Sequence, residues 1–212
     1  MKVENVIFDF NGTLLDDCDM CLELLNEMLE IHGYDKVTKS FYLEVFDFPV
    51  RDYYYKSGFQ EGVDDFNELS KYFNENYLDR FKYNKLHEGV KETLEALKKK
   101  GINLIILSAS EQSNLDNQVN SLGIKDYFSN VLGTTSTKGV GKTRVAEEFI
   151  KNNHLDTSKT LMVGDTLHDK LVAEVLNCKP ILFSKGHVAR HRLEESGATI
   201  IDNFKDLLSY ID

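Results

Sequence analysis

The sequence predicts an α/β protein, a doubly wound parallel sheet interrupted by an inserted all-helical segment, and three observations carry that prediction. Short apolar runs at Val6–Phe8, Ile102–Leu107 (broken only by Asn103) and Leu161–Val163 each stop at polar or glycine residues, the pattern of strands buried on both faces. Beyond Leu86 such runs alternate with amphipathic stretches, the rhythm of a parallel sheet whose crossovers are helices. Before Leu86, from about Asp16 on, the pattern is helical instead.

In chain order, Val6–Phe8 form the first strand and Asp9 stands at its end. The turn that follows contains Gly12, which lets backbone approach a bound group, and Thr13, which offers a hydroxyl. Residues 17–86 form the insert. Met20, Leu24, Leu25, Met28 and Leu29 share one helix face, closed by Gly33 as a C′ residue. Phe66, Leu69, Tyr72, Phe73, Tyr77 and Phe81 share another, and both stripes are read as the insert's own core. Residues 1–16 and 87–212 form the sheet domain. There, helices are expected over Gly89–Lys100, Glu111–Leu122, Thr143–Lys151, His168–Asn177, His187–Ser196 and from Phe204 onward. Strands are expected at Ile102–Leu107, Val131–Leu132, Leu161–Val163, Pro180–Phe183 and Thr199–Ile201.

Ligands of such sheets bind outside the carboxyl ends of the strands, and residues able to do chemistry collect there. Asp9 is placed like a nucleophile. Ser108 presents a hydroxyl at the end of the second strand. Lys142 opens a helix, where its ammonium and the free N–H groups can both face an anion. The third strand runs into Gly164-Asp165-Thr166-Leu167-His168-Asp169, adding two carboxylates. An Asp at a strand end is more often a cap or turn residue than a catalyst and each of the other signals is weak singly; the convergence points to a site.

In order and spacing this set resembles the haloacid dehalogenase superfamily, most closely its phosphoglycolate phosphatase-like branch with a helical cap between the first and second motifs. Asp9-Phe10-Asn11-Gly12-Thr13-Leu14 is similar to the first motif, Ser108 to the second, Lys142 to the third, and Asp165 with Asp169 to the acidic fourth. The resemblance implies a Rossmann-like core, a cap over residues 17–86, and Mg²⁺-dependent hydrolysis of a small phosphorylated metabolite through a phosphorylated Asp9. It implies Asp9, Asp165, Asp169 and the backbone carbonyl of Asn11 as metal ligands. Gly12, Thr13, Ser108, Ala109 and Lys142 are the implied phosphate contacts. A divalent cation also suits the chemistry, because a phosphate ester must be neutralised before a carboxylate attacks it. Substrate choice would fall to the cap, where Phe46–Tyr55 offers Arg51 as a forked donor among tyrosines. The alternative is that Arg51 pairs with a neighbouring acid and the tyrosines fill the cap core.

Asn11 departs from the pattern, standing where the family carries a carboxylate acid/base. An amide neither protonates an alkoxide nor deprotonates water, and losing such a group costs about 10²–10⁴-fold in rate. Four readings stay open: a substrate with a good leaving group, such as pyrophosphate or an acyl phosphate; a slow variant or phospho-ligand binder; a substitution introduced to trap substrate; and deamidation of Asn11-Gly12. A mutase is disfavoured, since moving a phosphoryl group between hydroxyls needs the missing group.

The net charge of −10 argues against nucleic-acid and anionic-membrane partners. No run is long enough to span a membrane and the first residues read as a strand rather than a signal, so a cytoplasmic monomer or homodimer is expected. Cys18-x-x-Cys21 is a possible redox pair, but it lies early in an expected helix, is not set at a strand end and lacks the further cysteines of a zinc site, so it is read as an ordinary, buried helix face. His87 and His168 are read as surface or capping residues, and His187, Arg190, His191 and Arg192 as a solvated basic helix face. Ser136–Thr143 ends like a phosphate-binding loop, with Ser136 replacing its first glycine, but that reading leaves Asp9 and Ser108 unexplained.

Overall fold

A computed structural model describes residues 2–134 and 141–211. Strand β1 (Asn5–Phe8) is buried along its length. The chain then turns through Asp9–Leu14 into the two-residue β2 (Leu15–Asp16) and four helices, α1 (Cys18–Ile31), α2 (Lys39–Val45), α3 (Val50–Lys56) and α4 (Phe66–Arg80). It returns through β3 (Lys85–Leu86), which pairs antiparallel with β2, so both crossings into the helical segment run side by side. Next come α5 (Val90–Lys99), β4 (Asn103–Glu111), α6 (Gln112–Ser121), β5 (Asn130–Thr134), α7 (Lys142–Asn153), β6 (Thr160–Gly164) and α8 (Leu167–Val175). The last elements are β7 (Lys179–Phe183), α9 (Arg190–Glu195), β8 (Thr199–Ile201) and a 3-10 stretch, Phe204–Tyr210.

The main sheet runs β5-β4-β1-β6-β7-β8 with every pairing parallel. Side chains alternate across it. Val6 and Phe8 pack with Leu94, Leu97 and Phe204 on one face, while Ile7 packs with Ile105, Met162, Ala146 and Val172 on the other. Because helices cover both faces, β1 needs apolar side chains at every position, which is why it reads as an unbroken run. The chain builds β4 and β5 on one side of β1, then crosses to build β6, β7 and β8 on the other. The resulting switch point opens a crevice at the carboxyl end of β1, where Asp9 sits.

Several local expectations are corrected. β4 continues to Glu111 with a register irregularity after Leu107, so Ser108 lies inside a bulged strand rather than beyond its end. The C-terminal segment is 3-10 rather than α-helical. α9 starts only at Arg190, and His187 precedes it, buried. The stripe of α1 belongs to the same apolar cluster as Phe8 and Leu94 rather than to a separate core. Residues 136–140 of the phosphate-loop candidate lie outside the described residues; Lys142 and Thr143 open α7. Among the described residues, no helix is long and apolar enough to cross a membrane.

Candidate active site

The backbone N–H of Asp9 bonds Val163 O at 2.8 Å, so the pairing of β1 with β6 fixes the position of its carboxylate. Lys142, at the first position of α7, directs its buried ammonium onto Asp9 Oδ1 and onto Asp169 Oδ1, the latter at 2.5 Å. Asp169 is held by the first turn of α8. Its Oδ2 accepts from the Thr166 N–H at 3.0 Å and hydroxyl at 2.7 Å, a capping box that leaves Oδ1 for Lys142. Asp165 accepts from the Thr13 hydroxyl and from the His187 N–H, both at 2.8 Å. Glycine makes this crowding possible. Gly12 has φ +71°, and a Cβ there would come within 2.4 Å of Asp165 Oδ2. At Gly164 a Cβ would lie 2.2 Å from that of Asp169.

Asp9, Asp165 and Asp169 are all buried, with carboxylate oxygens within 4.8 Å of one another. When all three are ionised, as metal ligands must be, Lys142 compensates one charge and leaves a surplus of two. Burial pushes Asp9 up to about 8, with Lys142 opposing and Asp169 and Asp165 adding to the rise. Burial likewise raises Asp165 to about 6. Asp169 moves the other way: burial would raise it, but the charge of Lys142 and the bonds from Lys142 and Thr166 hold it below its ordinary value. An all-oxygen donor set with a surplus of two negative charges fits one hard divalent cation.

Asn11 lies in a second network. Its Nδ2 donates to Asp17 Oδ2 at 3.0 Å and to the Tyr77 hydroxyl at 2.6 Å, and its Oδ1 accepts from the Ser110 hydroxyl at 3.0 Å. Asp17 occupies the N-cap position of α1 without capping it. Instead its carboxylate accepts from the Gly12 N–H at 2.8 Å, the Tyr77 hydroxyl at 2.7 Å and His187 Nε2 at 3.1 Å. Burial alone would lower His187, but the Asp17 carboxylate overrides it and holds the imidazolium well above its usual range. Asp17 is correspondingly lowered by His187 against the effect of burial.

Asp9, Thr13, Lys142, Asp165 and Asp169 are thus linked by direct bonds or within the carboxylate cluster, whereas Asn11 and Gly12 join the second network through Asp17. Ser108 is buried in β4, its Oγ accepting from the Ser110 N–H at 3.1 Å, whereas Ala109 is exposed. Arg51 is not brought to this cluster: it is exposed on α3, pairs with Glu61 and lies 5.6 Å over the Tyr55 ring, while Tyr53 and Tyr54 are buried. Two histidine readings are overturned. His187 is 4% exposed between Asp17 and the Tyr42 hydroxyl rather than on a solvated helix. His87 is buried with Nε2 3.1 Å from Gly12 O, and only His168 is half-exposed, its ring 4.8 Å from that of Phe48. Asp17, Tyr77, Ser110 and His187 were not legible as site residues. The one local signal was the Asp16-Asp17 doublet, which a helix cap explains equally well.

Known proteins resemble this chain over nearly its whole length. Phosphoglycolate phosphatase of Pseudomonas fluorescens is 26% identical over 211 residues, covering 96% of this chain and 78% of its own. Pyrophosphatase PpaX of Anoxybacillus flavithermus is 23% identical over 217 residues, covering 100% of this chain and 98% of its own. A haloacid dehalogenase-like family hydrolase from Streptococcus pneumoniae shares the fold with a TM-score of 0.82 at 18% identity, over 98% of both chains. The sequence profile of the haloacid dehalogenase-like hydrolases matches residues 6–183, from within β1 to the last residue of β7, and the chain belongs to that family.

Proposed function

We propose that the protein is a Mg²⁺-dependent phosphoric monoester hydrolase that acts on a small phosphorylated metabolite in the cytoplasm through phosphorylation of Asp9. The observation that carries this reading is the buried Lys142 ammonium seated between Asp9 and Asp169, with Asp165 alongside. The names of the relatives, phosphatases of phosphoglycolate and pyrophosphate, support it, and the three cysteines are free, as a reducing compartment would leave them.

Asp9, Asp165 and Asp169, with the carbonyl of Asn11, would hold Mg²⁺, which when bound supplies positive charge between the phosphate and the nucleophile. An Asp9 carboxylate oxygen attacks phosphorus, the bond to the leaving oxygen breaks, and the electron pair departs with that oxygen. Lys142, Ser108 and the N–H of Ala109 stabilise the equatorial oxygens during transfer, while the Gly12 N–H expected to join them is held by Asp17 Oδ1. Water then cleaves the acyl phosphate, regenerating Asp9 and releasing phosphate. Asn11 donates hydrogen bonds but moves no proton, so leaving groups that need none are favoured. Residues 17–86 are read as a cap hinged at the paired β2 and β3. Tyr42 and Tyr77 fasten it to His187 and Asn11, which helps exclude water.

The engaged amide of Asn11 favours one rival, a protein that binds phosphate compounds without turning them over. Mg²⁺-dependent phosphate release from acetyl phosphate, pyrophosphate, phosphoglycolate and sugar phosphates separates the two. The expected result is turnover of acetyl phosphate and pyrophosphate, with alkyl esters slower by about 10²–10⁴-fold. Thermal stabilisation by these ligands with no release from any of them would establish the rival.

Metal binding should also depend on pH. A carboxyl raised on folding holds an extra proton in the folded state, so stability falls as pH climbs from its unfolded value through its folded one. For Asp165 and Asp9 that window runs from 3.8 to about 6 and to about 8. Each unit is worth about 1.4 kcal/mol per group. The rise in Tm produced by Mg²⁺ is therefore expected to be small near the bottom of this window and to grow towards its top. Melting curves with and without Mg²⁺ check this, and a pH-independent increment would count against these ligands.

A further inference from the structure

We propose a second metal site, separate from the three aspartates, in which Asp17, Cys21 and His187 bind Zn²⁺ or a similar borderline divalent transition metal. Their ligand atoms lie within 4.8 Å of one another, with Cys21 Sγ 3.9 Å from Asp17 Oδ2 and His187 Nε2 3.1 Å from Asp17 Oδ1. Tetrahedral zinc, with bonds of about 2.0–2.3 Å, sets its ligand atoms roughly 3–4 Å apart, so small side-chain adjustments close the site. The residues are 1%, 7% and 4% exposed, so the donors are shielded from bulk water.

The donor types give the site its selectivity. Thiolate and imidazole favour zinc and its neighbours, whereas the all-oxygen cluster around Asp9 favours Mg²⁺, so adjacent sites would sort different ions. Outer partners are already in place. His187 Nδ1 lies 2.7 Å from the Tyr42 hydroxyl, which leaves Nε2 facing Asp17 and Cys21. The Gly12 N–H, 2.8 Å from Asp17 Oδ1, orients the carboxylate. Three protein ligands leave the fourth position to water or to Cys18, which is buried one helical turn before Cys21. On binding, the proton between His187 and Asp17 and the thiol proton of Cys21 pass to solvent, and the metal takes their place.

The site would also tie two parts of the chain together. Cys21 comes from α1, between the two crossing strands, whereas His187 comes from the segment between β7 and α9, and its N–H holds Asp165. An ion here would clamp α1 against the sheet and fix one carboxylate of the neighbouring cluster.

Co²⁺ is the direct probe, because a cobalt–thiolate bond has an ultraviolet charge-transfer band that oxygen ligands do not produce. Chelator-stripped full-length protein in excess Mg²⁺ is expected to bind one equivalent of Co²⁺ with that band, and Zn²⁺ is expected to abolish it by displacement. The band should vanish in Cys21→Ser and persist in Asp9→Asn, which alters only the other cluster. Tyr42→Phe should weaken affinity roughly 10- to 100-fold. Absence of the band in the unaltered protein overturns the proposal whatever the variants do. Its survival in Cys21→Ser, or its loss in Asp9→Asn, overturns the ligand assignment or the separateness of the site.

Discussion

Asp9→Asn is expected to eliminate phosphate release, with a loss on the order of 10⁴–10⁶-fold, while leaving the fold about as stable as before. The two effects have different causes. An amide cannot displace the leaving group or carry the phosphoryl as an acyl phosphate, so loss of activity follows from loss of the nucleophile. Stability follows from charge: burial, with Asp169 and Asp165 adding to it, raises Asp9 to about 8. In the metal-free fold at neutral pH the side chain is therefore mostly protonated already, so a neutral isostere costs little, with a gain only as pH rises past that value. Lys142 keeps its 2.5 Å bond to Asp169 and so remains paired. The measurement is phosphate release from acetyl phosphate beside metal-free melting curves, together with mass analysis of quenched unaltered protein for a phosphoryl group on the peptide bearing Asp9. Activity within tenfold of the unaltered protein would remove Asp9 from the role of nucleophile. A Tm well below it would make any activity loss uninformative and contradict the charge argument.

The parts of the site legible in the sequence share one property: local signals fix their positions. Asp9 follows an apolar run, Lys142 opens an amphipathic helix, and Asp165 and Asp169 lie in one glycine-led turn, so secondary structure alone carries them to the carboxyl edge of the sheet. Parallel pairing of β1 with β4 and β6 then brings those edges together. His187 has no such signal. Its basic neighbours suggest a solvated helix, and its burial depends on the segment after β7 folding back over Asp165 and meeting Asp17, 170 residues away in sequence. Tyr77 is likewise one aromatic of an amphipathic stripe, but its hydroxyl reaches Asp17 while its ring stays in the core. Arg51 shows the converse. Its residue type suited phosphate recognition, yet Glu61 lies nearer than any site group, and an exposed pair of this kind satisfies it locally.

Restoring the missing carboxylate is expected to require two changes rather than one. In Asn11→Asp a carboxylate would stand where Nδ2 now donates to Asp17 Oδ2 at 3.0 Å and to Tyr77 at 2.6 Å. Two carboxylates in hydrogen-bond contact do not both ionise, so the new group would share a proton with Asp17 instead of exchanging one with substrate. His187 does not relieve the conflict, since its imidazolium is already committed to Asp17. Asn11→Asp alone is therefore expected to lower Tm and to improve alkyl ester hydrolysis little. Adding Asp17→Asn supplies an amide donor to the new carboxylate and removes the competing charge. The double variant is expected to hydrolyse phosphoglycolate about 10²-fold or more faster than the unaltered protein, the low end of what a positioned acid/base contributes. Touching side chains commonly couple by about 0.5–3 kcal/mol, and a cycle of kcat/KM and Tm over the four proteins measures that coupling. Additive effects would show that Asn11 and Asp17 act independently. Strong non-additivity in both quantities would show that positions 11 and 17 act as one unit, in which the buried network accommodates a single carboxylate and an amide partner.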